Sequence, residues 1–177
     1  MAKEFLEREK SKVIGKHFMT GKDVVSGIDN PISLGMRFYI LENGEVASEF
    51  TPDFCHEGHV GMFHGGLISS VLDESMGRAA MSYAEDEKTV HSVVTGELTV
   101  RFLEPIMIGE KKLAVGRAIS KEGRKTYCES YIIGSDNRVY AKAKGVFFDV
   151  GGIDDVEAHK ALTGDSNELV SGDPKEL

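Results

Sequence analysis

Residues 64–84 read HGGLISSVLDESMGRAAMSYA, and the reading of this stretch decides the fold. Apolar Leu67, Ile68, Val71, Leu72, Met76, Ala79 and Tyr83 recur at spacings near three and four, the period of a helix that faces a core. The helix is entered through His64-Gly65-Gly66. A second stripe, Gly66, Ser69, Ser70, Asp73, Gly77, Ala80 and Ala84, is small throughout except for one acid. Small residues at helical spacing let another backbone come close, here beside a carboxylate. The two glycines leave N–H groups at the positive end of the helix dipole, where an oxyanion or a polarised carbonyl is stabilised.

Spacing adds a constraint. Asp73 lies eight residues beyond Gly65, which is roughly 12 Å along a helix axis. That is too far for Asp73 to act on a carbonyl held by its own helix mouth. If the two act together, Asp73 of one subunit meets the Gly65 amide of another, with the small stripe as the expected seam. The plainer reading of the same residues is a solvated helix acid behind a tight glycine loop.

Composition bounds the rest. A chain of 177 residues corresponds to one domain with an ordinary core. No run approaches the roughly 18 consecutive apolar residues of a membrane span, and the charged start MAKEFLEREKSK does not read as a signal peptide. Two cysteines, Cys55 and Cys128, make no disulfide framework, so a reducing cytoplasm is the expected location. The net charge of −8 argues against general nucleic-acid binding. Residues 101–144 reverse that sign, with ten Lys and Arg against five acids. Such a segment suits a phosphate-bearing ligand, and equally suits edge strands kept soluble by lysine.

In chain order, residues 3–18 carry Phe5, Leu6, Val13, Ile14 and Phe18 as the apolar side of a short helix. Leu34–Leu41 and Glu45–Phe50 flank Asn43-Gly44, a strong hairpin signal. The loop 51–63, TPDFCHEGHVGMF, holds Cys55, His56 and His59 just before His64. His56-Glu57-Gly58-His59 is one residue short of the zinc-protease spacing, and its glycines oppose a helix, so no metal site is assigned. This loop is expected to lie over the helix entrance and line a pocket. Strands follow at Val90–Phe102, Lys112–Ser120, Thr126–Ile133 and Arg138–Val150, read as a four-stranded meander. One helix facing one antiparallel sheet is an α+β layer architecture. From Gly151 the chain is acidic with little apolar periodicity, and reads as a mobile tail or frayed helix. The expected organisation is an N-terminal extension over 1–27, a domain over 28–150 and a tail over 151–177.

At this point the chain resembles the hotdog-fold acyl-CoA thioesterases of the PaaI-like, phenylacetate-pathway type. The resemblance rests on His64-Gly65-Gly66 with Asp73 nine positions after the histidine, on TGELTVRFLEP at Thr95–Pro105 and on YAKAKGVFF at Tyr140–Phe148. Asp29–Phe38 is similar to the family's entry into its first strand. It implies a helix wrapped by a curved antiparallel sheet, and a dimer joined edge to edge, often doubled to a tetramer, with the site between subunits. By position, Asp73 would be the general base or nucleophile, the Gly65 amide would polarise the thioester carbonyl, and His64 would order the loop or the carbonyl. Gly66, His59 and Glu74 would support them, with His59 standing near where relatives hold a water by Asn or Gln. Glu74 also has Arg78 four residues on, the spacing of a helical ion pair. For coenzyme A phosphates the candidates are Arg124 and Lys125, then Arg101.

The implied activity is hydrolysis of an acyl-CoA to free acid and coenzyme A, with no cofactor beyond the coenzyme A of the substrate. Two other readings share the fold. A hydratase or dehydratase of acyl thioesters typically needs a histidine beside the helix aspartate, and none follows His64 in this helix. A non-catalytic acyl-CoA-binding module would keep the pocket without turnover.

Overall fold

The computed structural model describes residues 3–17, 21–83, 90–153 and 169–177. Among the described residues, seven strands form one sheet: β1 (Val13–Lys16), β2 (Tyr39–Leu41), β3 (Val46–Phe50), β4 (Val90–Phe102), β5 (Lys112–Glu122), β6 (Lys125–Ile133) and β7 (Val139–Ile153). Their order is β1-β2-β3-β5-β6-β7-β4, every neighbouring pair antiparallel. One long helix, α1 (Gly65–Ser82), lies against β3 to β7.

The helix and the later strands stand where their periodicities place them. Ile68, Val71, Leu72, Met76 and Ala79 are buried against the sheet. Tyr83, expected on that stripe, caps the C-terminus and is exposed. The approach of sheet to helix depends on Gly116 of β5, where a Cβ would lie 2.1 Å from the Ser75 carbonyl oxygen. Ser130 of β6 donates its hydroxyl to the Leu72 carbonyl at 3.0 Å.

Several expectations are corrected. The four-strand meander is a three-strand one: β5, β6 and β7 are consecutive, but β4 crosses to pair along its whole length with β7. The link 103–111, which contains Pro105 and has Gly109 at positive φ, carries the chain past the sheet end instead of turning it back. The first hairpin arm is a ladder only over Tyr39–Leu41, because Leu34 and Met36 donate their amides to Val24 and Val25. The helix expected over residues 3–18 does not form among the described residues. Val13–Lys16 is a strand, since β-branched Val13 and Ile14 favour extension and β2 supplies the partners.

The tail expectation also fails for residues 169–177; residues 154–168 lie outside the described ones. This segment runs beside β1: Val13 N–H donates to the Lys175 carbonyl at 2.9 Å, and Ser11 and Leu177 exchange backbone bonds. Leu177 is buried with Val13, Leu41, Val115, Ile133 and Val139 in a second apolar cluster, against which Leu6 also packs. No helix among the described residues is long and apolar enough to cross a membrane.

Candidate active site

The helix mouth is built by the preceding loop. Asp53 opens a single turn of 3₁₀ helix over Phe54–His56 and is tied to it reciprocally. His56 is buried. Its Nδ1 accepts the Asp53 N–H at 2.9 Å, so Nε2 bears the proton and donates to the Ile32 carbonyl at 3.0 Å. Both ring nitrogens are thus engaged in holding the loop. The His56 carbonyl in turn accepts the His64 amide at 2.9 Å, fixing where α1 begins. Among the described residues, no three His, Cys, Asp or Glu side chains are grouped as metal ligands.

His64 is the N-cap of α1, and its Nδ1 accepts the Gly66 N–H at 3.0 Å. This changes the expectation for the two glycines. The Gly66 donor is spent on the cap, whereas the Gly65 N–H has no acceptor among the described residues. A cleft of about 580 Å³ opens in front of it. Its walls are His59, Met62, Phe63, His64, Gly65 and Ile68 on one side and Phe102–Ile106 on the other. His59, His64 and Gly65 therefore come together, and Phe102 covers Gly65: a Cβ at Gly65 would stand 3.8 Å from the Phe102 ring.

Asp73 does not line that cleft. It sits two turns along α1, half-buried, where the Thr95 hydroxyl of β4 donates to Oδ1 at 2.8 Å. Burial pushes the Asp73 carboxyl above its ordinary range, the Thr95 bond pulls it partly back, and the Glu74 carboxylate adds to the rise. A carboxylate of raised basicity that keeps one oriented oxygen can take a proton from water. Thr95 is the residue that motif spacing missed as a partner. It lies 22 positions from Asp73, and no local periodicity links a helix to a strand that far on.

Glu74 faces elsewhere. Arg78 Nε and Nη2 reach its Oε1 at 2.8 and 2.7 Å, and the Ser26 hydroxyl joins them at 3.2 Å. Arg78 is buried, with its guanidinium 5.8 Å from the Phe38 ring centre. This cluster fastens the loop Asp23–Ser26 to the helix. The small stripe is likewise not all seam: Gly77 packs on Phe147 and Val93 of the same chain, and Ala80 is buried.

Arg124 and Lys125 stand at the β5–β6 turn, away from the cleft. Arg124 Nε donates to the Asp149 carbonyl at 2.7 Å, and the Lys125 ammonium lies 5.6 Å from the centre of the Phe148 ring. Both side chains are exposed, as is Arg101 on β4. Cys55 is exposed and Cys128 buried, both as free thiols; burial pushes the Cys128 thiol up to about 12.

Comparison with known proteins agrees with this architecture. The sequence model of the thioesterase superfamily matches residues 46–141. SSO2140, a Saccharolobus solfataricus protein carrying a provisional esterase name, is 29% identical over 117 residues, 65% of this chain and 79% of its own. Among solved structures, RHA08564, a thioesterase superfamily protein, superposes with a TM-score of 0.66 at 26% identity over 73% of this chain. The chain spans 64% of the length of that protein. PaaI from the phenylacetic acid degradation operon of E. coli gives a TM-score of 0.59 at 19% identity, covering 67% of this chain and 82% of its own. Smu.793 of Streptococcus mutans, solved with acetyl CoA bound, gives 0.55 at 20% identity, covering 62% and 83%.

Proposed function

Because the chain belongs to the thioesterase superfamily and shares the hotdog fold of PaaI, we propose that it hydrolyses acyl-CoA thioesters to free acid and coenzyme A. One observation carries the reading. The perturbed carboxylate of Asp73 and the unengaged amide of Gly65 stand against the same strand, Asp73 bonded to Thr95 near the middle of β4 and Gly65 beneath Phe102 at its end. Neither half completes a site within one chain. Two copies related by a two-fold axis bring the Asp73 of each to the Gly65 of the other, and the site forms twice.

In that site Asp73 takes a proton from water as its oxygen bonds to the thioester carbon. The carbonyl oxygen becomes an oxyanion and accepts the Gly65 N–H of the second copy; one such donor contributes about 3 kcal/mol to transition-state binding. Collapse breaks the carbon–sulfur bond, and the departing thiolate takes the proton back from Asp73. His64 keeps the mouth in register through its cap, and His59 stands in the cleft wall as a second polar group. Smu.793 holds acetyl CoA on the same fold, which supports coenzyme A as the thiol. Arg124 and Lys125 are the cations assigned to its phosphates.

The test is thiol release from a panel of aromatic and aliphatic acyl-CoAs by the wild type and by Asp73→Asn. Turnover that falls about a hundredfold or more in the variant supports the reading. Equal activity in both removes Asp73 from the chemistry. Binding of the esters without thiol release by the wild type overturns the hydrolase reading in favour of a binding module.

A further inference from the structure

The cleft before Gly65 is apolar at its floor and acidic at its wall. Phe63, Ile68 and Ile106 are buried beneath it. Its lining holds one carboxylate, Glu104, whose side chain is 23% exposed, and among the described residues it holds no Lys or Arg. The imidazoles of His59 and His64 are its other ionisable groups, and His64 accepts the Gly66 amide at Nδ1. The backbone fixes the wall that carries Glu104. Leu103 and Glu104 both donate their amides to the Tyr140 carbonyl, at 2.9 and 3.0 Å. Farther in, the Phe63 amide donates to the Ile106 carbonyl and the Ile108 amide to the Gly61 carbonyl, both at 2.9 Å, which joins the two walls.

The charge of Glu104 is only partly offset. Arg138 Nη1 lies 3.4 Å from Glu104 Oε2, while Nη2 lies 3.3 Å from Asp136. One cation thus serves two carboxylates, and Glu104 Oε1 has no hydrogen-bond partner among the described residues. Arg138 stands behind the wall and does not line the cleft. The N-terminal extension holds it there. Val139 donates its amide to the Glu4 carbonyl at 2.8 Å and Leu6 donates to Asn137 at 2.9 Å, which sets Phe5 opposite Arg138.

We propose that Glu104 is a charge filter for the acyl group: it admits uncharged chains and rejects those that end in a carboxylate. The proposal rests on the hydrolase reading above and adds what the cleft accepts. With the thioester carbonyl on the Gly65 amide and the cations assigned to coenzyme A away from the cleft, the acyl group takes the apolar floor. A carboxylate on that group loses its water there. It also meets the charge of Glu104, with no cation in the lining to offset it. Like charges in a partly desolvated cleft repel more strongly than in bulk water. On the shared-site reading, the Asp73 of the second copy adds to the repulsion. An uncharged chain meets none of these costs, so the selection works against the wrong substrate and leaves the fit of the right one alone.

The probes are hexanoyl-CoA and adipoyl-CoA, which differ only in a terminal methyl against a carboxylate. The wild type is expected to favour hexanoyl-CoA by about a hundredfold in kcat/KM. In Glu104→Gln, which keeps the shape of the side chain, that ratio is expected to fall about tenfold through a gain on adipoyl-CoA, with hexanoyl-CoA within about twofold of the wild type. Arg138→Met leaves Glu104 unpaired and is expected to move the ratio the other way. Damage to the wall alone would shift both esters together in both variants. Calorimetric binding of the same two esters reads the ratio without turnover. Equal use or equal binding of the two by the wild type, or an unchanged ratio in Glu104→Gln, overturns the filter without touching the hydrolase reading. A binding preference for hexanoyl-CoA that Glu104→Gln relaxes, with no thiol released from any ester, leaves the filter standing and removes the hydrolase reading instead.

Discussion

The Thr95 hydroxyl donates to Asp73 Oδ1 across 2.8 Å, joining the rim strand β4 to the middle of α1. Burial raises the affinity of Asp73 for a proton, and this bond lowers it. Thr95→Val removes the lowering part alone. A base works only when deprotonated, so its activity is lost as pH falls through its pKa. The acid limb of the kcat/KM profile is therefore expected to move to higher pH in Thr95→Val, with near-wild-type rates on the plateau above it. A pH profile of thiol release measures the shift; an unmoved limb separates Thr95 from the titrating group.

Arg78 is buried with its guanidinium on Glu74, Ser26 and the face of Phe38. Arg78→Ala strands the Glu74 carboxylate beside the core and empties the space over Phe38. The loss expected is about 3 kcal/mol of unfolding free energy, in the range for breaking a largely buried pair. Urea denaturation reads it directly.

Gly116 permits the contact of β5 with α1. A Cβ there would stand 2.1 Å from the Ser75 carbonyl oxygen, and the obstacle is backbone, which cannot rotate aside. Gly116→Ala is expected to cost about 3 kcal/mol, and Gly116→Val to prevent folding. Gly123, in the open β5–β6 turn, has nothing within contact distance of such a carbon, but its positive φ strains any replacement. Gly123→Ala is accordingly expected to cost only about 1 kcal/mol, and chemical denaturation of the two alanine variants compares them.

Asp173 ties the C-terminal segment to β1 and β2, accepting from Lys16 Nζ and Tyr39 Oη at 2.9 Å each. Burial alone would raise its pKa, but the Val170 amide, Lys16 and Tyr39 together hold it down to about 2. A carboxylate depressed in the folded state contributes stability above its unfolded pKa near 4, and that contribution is lost as pH falls through the folded value. Hydrogen exchange at Val13 and Leu177 is expected to accelerate between about pH 4 and pH 2 relative to the exchange of α1. Asp173→Asn should show fast exchange already at neutral pH, with no further step in that window.

The sequence by itself determined the pieces whose signals are local. The 3.6-residue period of 64–84 marked α1, the Val/Thr-rich and alternating runs of 90–150 marked four strands with borders close to those observed, and Asn43-Gly44 marked a hairpin. The mouth glycines and Asp73 could be named as candidates for the same reason, because helix-end amides and a helix acid are properties of one segment, whereas the His64 cap that occupies the Gly66 amide needed the structure. The 12 Å between Gly65 and Asp73 followed from helix rise alone. Tertiary structure decided everything that depends on partners distant in the chain. Val13–Lys16 became a strand because β2 and residues 175–177 satisfy its backbone, and β4 passed over β5 to pair with β7. Arg78 went inside because Glu74, Ser26 and Phe38 meet it there. Thr95 reached Asp73 because a one-residue shift in pairing between Thr95 and Glu97 leaves Thr95 on the helix side of β4. Periodicity reports which face of an element is apolar; which other element that face meets depends on packing and hydrogen bonding between segments far apart in sequence.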